Sequence, residues 1–443
     1  MGCAPISTVR LKDSRSFRTE ERRDCPFIMI NTKHDTRSYE STVDGERGYQ
    51  RDIISDGNAL YEAFLKSKKN SDWKASVQKF EMTYLLRLGQ IQKELRDETY
   101  QIKDGNPFII HERGKTRCIT GQQVEDRIVE HVLCDEVINL AIKKYLIYDN
   151  GASQEGKGVS FTRQRLETHL HRYYHEHGNN KGYILLIDFS QYYDNIHHDM
   201  LMDMFKKYIS DEKALKLIQQ IIDKSQVDVS YMTDEECAEY YNGVFSSIEH
   251  DQIDKSLLTG EKMLPKHMNI GNQLSQSAGI LYRTPIDNYV KIVKGVEFYA
   301  GYSDDSYAIH ESKEFLQDLL TDIIRIAKDI GITVNEKKTR ICKLSDKWRF
   351  LQIQYSLMDS GRVMHKINQK NMTRMRRRIK KLAGVLPEKD FDDWIKSWMC
   401  GYAKYMSKQQ RSNIYELTES LKENHYKKPK KIATEKWILT GKD

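Results

Sequence analysis

Apolar positions along the first part of the chain follow two different periods, and each predicts its own kind of element. Leu60, Phe64, Trp73, Val77, Phe80, Tyr84, Leu85 and Leu88 recur largely at three- and four-residue intervals, the spacing of one helical face, with Asp72 placed as an N-cap. Phe108 to Ile119 reads as two short strands around a basic turn that contains Gly114, a hairpin that presents cations. Val124–Tyr148 and Phe161–Tyr174 return to the helical pattern. Tyr183-Ile184-Leu185-Leu186-Ile187 is a continuous β-prone run, as expected of a strand covered on both faces. The stripe Leu201, Met204, Phe205 and Tyr208 predicts the helix after it.

In the second half, Gln226–Lys266 is acidic and rich in tyrosine, and it reads as an inserted loop or a small subdomain. Val296–Tyr302 and Ser306–Ile309 predict strands flanking Ser303-Asp304-Asp305, a hairpin with acids at its tip. A helix follows over Leu316–Ile330, and Trp348–Tyr355 predicts one more strand. Beyond it, Met372, Met375, Ile379 and Leu382 form the apolar stripe of a helix whose other faces carry Arg374, Arg376, Arg377, Arg378, Lys380 and Lys381. No fixed-period repeat is visible, which argues against a solenoid. Residues 1–57 carry few apolar positions and are read as a polar N-terminal arm, either poorly ordered or docked elsewhere.

The 443 residues correspond to about three structural modules. Lys and Arg number 71 against 64 Asp and Glu, a formal charge of +7, which points mildly to a polyanionic partner. At 39% hydrophobic and 30% charged residues the chain is not a wholly disordered one. Its apolar runs are too short to span a bilayer, so no membrane partner is expected. Ile6 stands where an acylation signal needs Ser or Thr, and no signal-peptide core follows, so a cytoplasmic protein is expected. The seven cysteines are scattered without a Cys-x-x-Cys pair, against a disulfide framework or structural zinc. Gly151–Gly158 has three glycines and Lys157 but lacks the spacing of a Walker loop.

The most informative residues are Asp188, at the end of the buried-type strand, and the Asp304-Asp305 pair. Two carboxylates about 4 Å apart repel by roughly 4 kcal/mol at an effective dielectric near 20, so a cluster of them calls for cations. Magnesium suits it, since it binds through few carboxylates together with substrate phosphates. Two such ions support in-line phosphoryl transfer, in polymerases and nucleases alike. The other reading is that Asp188 caps a helix and Asp304-Asp305 makes an ordinary turn.

The ordered series of motifs resembles the palm-domain reverse transcriptases of bacterial and phage retroelements. Asp188-Phe189-Ser190-Gln191-Tyr192-Tyr193-Asp194-Asn195-Ile196 resembles their first palm motif, and Tyr302-Ser303-Asp304-Asp305 their Tyr-x-Asp-Asp signature. His111–Ile119 is similar to the fingers hairpin, Ile270–Gln276 to the template-and-nucleotide segment, and Val334–Thr339 to the Asn-x-x-Lys-Thr element. Phe350-Leu351-Gln352-Ile353 resembles the primer grip, and the basic helix after it the thumb.

The resemblance implies an α+β right-hand polymerase fold. Its parts would be a helical region and fingers over 58–182, an antiparallel palm with helices over 183–358, interrupted near 226–266, and a helical basic thumb and tail over 359–443. It implies an RNA-directed DNA polymerase that extends a primer on an RNA template with deoxynucleoside triphosphates and two Mg²⁺ ions, Mn²⁺ being a substitute. Asp188 and Asp304 would ligate both metals, Asp305 would assist, and the Phe189 carbonyl would complete one ion. Tyr193 would be the steric gate against ribose, with a core tyrosine as the other reading. Lys115 and Arg117 would neutralise the triphosphate, and Lys338 would protonate the departing pyrophosphate. Ile270 and Gly271 would border the nucleotide. Arg374, Arg376, Arg377, Arg378, Lys380 and Lys381 would track the duplex backbone of template and cDNA.

Ile270 and Gln276 stand where many relatives carry Gln and Pro. This form is similar to the reverse transcriptases of diversity-generating retroelements, which implies error-prone copying and a small basic accessory protein in a bacterial or phage-infected cell. The unmatched arm and insertion leave room for a phage-defence enzyme. An RNA-binding protein with an inactive palm is the rival from another class; the retained acids oppose it, since a pure binder has no need of negative charge where phosphates must approach.

Overall fold

The computed structural model describes residues 52–112 and 115–427. It opens on three helices, α1 (Gly57–Lys68), α2 (Ala75–Glu81) and α3 (Tyr84–Arg96). Asp56 caps the first, its carboxylate accepting from the Asn58 and Ala59 backbone N–H groups at 2.9 and 3.0 Å. Asp72, expected to be a cap, lies instead in the turn before α2. Leu60, Phe64, Val77, Phe80 and Leu88 are buried as their period requires, but Trp73 and Leu85 are 70% and 71% exposed. Trp73 sits in that same turn, and the core face of α3 starts only at Leu88. Ile54 is buried, so the last residues of the expected polar arm join the core; the arm up to residue 51 lies outside the described residues.

Strands β1 (Asn106–Glu112) and β2 (Lys115–Gly121) pair antiparallel with Phe108 opposite Ile119. Helices α4 (Val124–Val132), α5 (Asn139–Ile142) and α6 (Val159–His177) lead to strand β3 (Tyr183–Ser190), followed by α7 (His198–Tyr208) and α8 (Glu212–Asp223). The tyrosine-rich segment is built from β4 (Val227–Asp228), α9 (Asp234–Asn242), α10 (Ser247–His250) and β5 (Met263–Leu264). It has a small core of its own, formed by Val227, Val229, Met232, Phe245 and Leu264. Then come α11 (Gln273–Tyr282), α12 (Thr284–Asn288), β6 (Tyr299–Tyr302), β7 (Asp305–His310), α13 (Lys313–Asp329), β8 (Thr333–Val334) and β9 (Arg340–Lys343).

The segment Trp348–Tyr355, expected as one strand, is two: β10 (Trp348–Phe350) and β11 (Ile353–Leu357), which pair with each other and then with β12 (Val363–Ile367). Leu351 and Gln352 between them have φ of 42° and 71°. Left-handed conformation at both positions is what a two-residue hairpin requires, usually met by Asn-Gly, and Leu-Gln carries no such signal. Helices α14 (Gln369–Leu382), α15 (Glu388–Tyr402) and α16 (Lys408–Lys422) complete the described chain.

β3 is the spine. It pairs antiparallel with β7 along one edge and with β8 and β9 along the other. Its side chains alternate between two cores, as the period of a strand dictates. Leu185, Ile187 and Phe189 belong to the core built with α1–α5, α7, α8 and α11–α13, whereas Ile184 and Leu186 pack with α6, β10–β12 and the C-terminal helices. This double burial explains the uninterrupted apolar run, and it fixes the strand end that carries Asp188.

Candidate active site

Asp188 and Asp305 are direct cross-strand partners. Residues opposed in this way have Cα atoms about 5 Å apart, so pairing alone brings together two acids separated by more than a hundred positions. Asp304 precedes Asp305 in the β6–β7 turn, where Ser303 is left-handed with φ 53°. All three carboxylates line one open cavity of about 760 Å³, whose walls also present Arg117, Lys337, Lys338, Arg340 and Arg349. Asp188 caps no helix: α7 begins ten residues later, behind His197.

The Asn335–Thr339 turn is fastened to Asp188 from both sides of its backbone. Asn335 N–H donates to the Asp188 carbonyl at 2.8 Å, and the Asp188 N–H donates to Thr339 Oγ1 at 3.3 Å. Lys338, held in that turn, donates from Nζ to Asp188 Oδ1 at 2.7 Å. Burial pushes the Asp305 carboxyl up to about 7, and the charges of Asp304 and Asp188 add to the rise, against the pull of Lys338 and Arg283.

Among the described residues no three His, Cys, Asp or Glu side chains form a ready-made metal cage. The three acids instead share the wall of an open cavity and crowd one another's charge, a donor set that suits a hard divalent cation held jointly with phosphate oxygens.

Residues 102–355, more than half of the chain, match the family described as reverse transcriptase (RNA-dependent DNA polymerase). The chain belongs to the reverse transcriptase family. It is similar in structure to the telomerase from Candida albicans in complex with a fragment of telomeric RNA, at 13% identity and a TM-score of 0.40, over 76% of this chain and 60% of that one. For the apo telomerase from Candida tropicalis the values are 16% and 0.40, over 59% and 48%. The chain thus spans 60% or less of the length of these two proteins. No curated protein matches it. The mixture of helices and antiparallel sheets described above is the right-hand polymerase fold of this family.

Within the reverse transcriptase fold, the other predicted residues fall into distinct places. Arg117 reaches the acidic cavity from the β1–β2 hairpin; the Lys115 side chain lies outside the described residues. Phe189 is buried one residue past Asp188. Tyr193 does not line the cavity: its ring packs on Gly279 and its hydroxyl lies 3.3 Å from Ser303 Oγ, beneath the acidic turn. Burial holds its pKa above the ordinary tyrosine value. Ile270 and Gly271 lie against the hairpin, where Thr120 N–H donates to the Ile270 carbonyl at 3.3 Å. Gly271 has φ 124°, and a Cβ there would stand 2.9 Å from the Ile119 side chain, so only glycine fits. Met372, Met375 and Ile379 of α14 are buried and all six basic residues are exposed. Asn368 and Asn371 carry this helix to the acidic cavity.

Two arginines escaped the sequence reading. Arg283, fully buried at the α11–α12 junction, pairs with Asp287, its Nη2 2.9 Å from Oδ1. Its Nη1 donates to the Ser303 carbonyl and, at 3.5 Å, to the Asp305 carbonyl. Burial is the largest single influence and opposes its charge, but Asp287, Tyr299 and Tyr192 together outweigh it and the guanidinium stays ionised. Gly301 leaves room for it, since a Cβ there would come within 2.6 Å of the guanidinium. Arg163 of α6, also buried, donates to the Leu351 carbonyl from Nε and Nη2 at 3.2 and 2.6 Å, which braces the strained Leu351-Gln352 turn at the cavity wall. No sequence signal distinguishes either from the other basic residues.

Proposed function

We propose that this chain is an RNA-directed DNA polymerase that extends a primer by phosphoryl transfer at Asp188, Asp304 and Asp305. The observation that carries the proposal is the convergence of these three acids with Lys338 and Arg117 on one cavity. The acids, with the Phe189 carbonyl, would hold Mg²⁺, or Mn²⁺ in its place; when bound, such ions acidify the primer hydroxyl and neutralise phosphate charge. Arg117 and Lys115 grip the triphosphate, and Lys338 delivers a proton to the pyrophosphate, kept close by its bond to Asp188. Template RNA, primer and deoxynucleotides are the substrates. Extension of an oligo-dT primer on poly-rA with dTTP and Mg²⁺ tests the reading, and no product across several templates and primers would overturn it in favour of an RNA binder.

The raised Asp305 carboxyl links metal binding to pH. Below about pH 7 the metal-free protein holds a proton there, which a cation must displace. Calorimetric Mg²⁺ affinity is therefore expected to fall about tenfold per pH unit below 7 and to level off above it. Because the folded value lies above the unfolded one near 4, the metal-free protein also loses stability as pH rises from about 4 to 7. A flat affinity between pH 6 and 8 would refute the linkage.

Tyr193 supports the acidic turn from below, and we propose it as the gate against ribose. Tyr193→Ala is expected to lower the preference for dTTP over UTP by about tenfold or more, read as the ratio of kcat/KM values. If only stability changes, the residue is a core tyrosine.

Among branches of the family, the Ile270 and Gln276 pattern favours error-prone copying in a diversity-generating retroelement over phage defence. A hydrophobic side chain in place of a polar brace loosens discrimination between base pairs. Misincorporation by Ile270→Gln is expected to fall below that of the parent, and equal error spectra would remove the link.

A further inference from the structure

We propose that Glu130 is a positioning residue for the incoming nucleotide: from α4 it holds the start of α11, and through that helix it sets both the Ile270-Gly271 border and the seat of Tyr193. The inference rests on the polymerase reading above and deepens it, because it assigns the placement of the nucleotide segment to a side chain outside every motif and outside the acidic cavity.

Glu130 is buried, and donors alone hold its carboxylate. Gln122 Nε2 donates to Oε1, and the Gln273 N–H donates to Oε2 at 3.1 Å with the Leu274 N–H beside it. Burial pushes this carboxyl up to about 7 and the charge of Asp126 adds to the rise, against those three donors. A neutral acid would turn its own proton toward a donor, so the arrangement fits the carboxylate. Burying a charge among neutral partners is costly, even where the positive end of a helix offsets part of the cost. Starting α11 does not by itself require it, because Asn272 already caps the helix, its side chain accepting from the Ser275 N–H at 2.8 Å.

The first turn of α11 governs groups on both sides of it. Upstream, Thr120 Oγ1 donates to Asn269 Oδ1 at 3.0 Å and Ser275 Oγ to the Asn269 carbonyl at 2.7 Å, so Ile270 and Gly271 are strung between the β1–β2 hairpin and the helix. Downstream, Gly279 lies six residues past Gln273, about 9 Å along the axis. The Tyr192 hydroxyl donates to the Gly279 carbonyl at 2.6 Å, and a Cβ on Gly279 would stand 2.8 Å from the Tyr193 hydroxyl. A shift of α11 along its axis therefore displaces the nucleotide border and the Tyr193 ring together. Asp188 and Asp305 stay where strand pairing holds them, so binding of the nucleotide suffers before the chemistry does.

Gln is the informative replacement. It keeps the shape of Glu130, but whichever way the amide turns, its NH2 meets another donor. A second tie, from Gln273 Nε2 to Asp135 Oδ1 at 2.6 Å, keeps the helix docked in that variant.

The test uses the full chain with dTTP and Mg²⁺ at pH 8, where Glu130 is ionised. It reads the calorimetric Kd for dTTP without primer, and steady-state extension of a dT12 primer on poly-rA. Glu130→Gln is expected to raise both the Kd and the KM for dTTP about tenfold, the effect of losing a hydrogen bond to a charged group. Its kcat should stay within about threefold of the parent and its affinity for the primer–template within about twofold. Should Glu130→Gln fail to fold, Glu130→Asp keeps the charge one methylene short of the Gln273 N–H and should raise the same KM. A lowered melting temperature with the KM for dTTP within twofold of the parent would overturn the proposal and leave Glu130 as packing, and so would equal losses for dTTP and primer–template. A parent that extends no primer, yet loses dTTP affinity in Glu130→Gln, keeps this role for Glu130 and loses only the polymerase reading; one that binds no dTTP loses both.

Discussion

Asp304→Ala is expected to abolish primer extension, lowering kcat/KM by at least about a thousandfold, while nucleic-acid binding and the melting temperature stay near those of the parent. Stabilisation of developing phosphate charge by carboxylate-held ions is worth several kcal/mol, and each 1.36 kcal/mol is a factor of ten in rate. Asp304 stands in a turn at the cavity wall, outside the β6–β7 strand pairing. Removing it also takes away the like charge that raises Asp305, so the variant should be no less stable than the parent near neutral pH. Asp188→Asn makes the informative comparison, since it keeps the shape of a side chain that Lys338 contacts at 2.7 Å. Both variants should be inactive with unaltered affinity for dT12. Residual extension within tenfold of the parent in either one would mean that the three acids do not form a single centre.

The parts of this site that were legible in the sequence share a physical reason. A strand buried on both faces must be apolar without interruption, so Tyr183–Ile187 stood out, and an acid at its end was conspicuous for lack of apolar company. The Asp304-Asp305 turn was legible because two adjacent acids interrupt a stretch that is otherwise β-prone on both sides. The Asn-x-x-Lys-Thr element was visible as a pattern, but its work was not: only the structure shows Asn335 and Thr339 fastening the Asp188 backbone.

What stayed hidden is held by long-range contact. Leu351 and Gln352 carry no turn chemistry, and their left-handed backbone persists because Arg163, 188 positions away, binds the Leu351 carbonyl. Trp73 fitted a helical period by spacing alone and lies in a turn. The resemblance makes Tyr193 a gate against ribose, and its ring lies beneath the acidic turn rather than on the cavity wall. In each case the sequence specifies a residue type, and the neighbour that decides its role comes from another element.

Arg283 is the sharpest instance, and its variants are expected to separate stability from activity. Arg283→Met strands Asp287, which is itself fully buried. Breaking a buried pair on one side costs about 3–5 kcal/mol, and the melting temperature should drop by about 10 °C. Tyr299 softens the loss, since its hydroxyl donates to Asp287 Oδ1 at 2.6 Å. Activity should fall further than stability explains, because the Ser303 and Asp305 carbonyls lose the donor that sets the acidic turn. Arg283→Lys keeps the charge but not the planar fork that reaches Asp287 and both carbonyls at once, so it should melt closer to the parent and still extend primers poorly. The deciding variant is Arg283→Met combined with Asp287→Leu. Replacing both partners of a buried pair with apolar residues is often neutral or stabilising, so this double variant should regain most of the lost melting temperature. Its kcat should remain at least about tenfold below the parent with the KM for dTTP little changed, because the turn is still unsupported. Recovery of kcat together with stability would show that the ion pair is packing alone and that the acidic turn holds its own geometry.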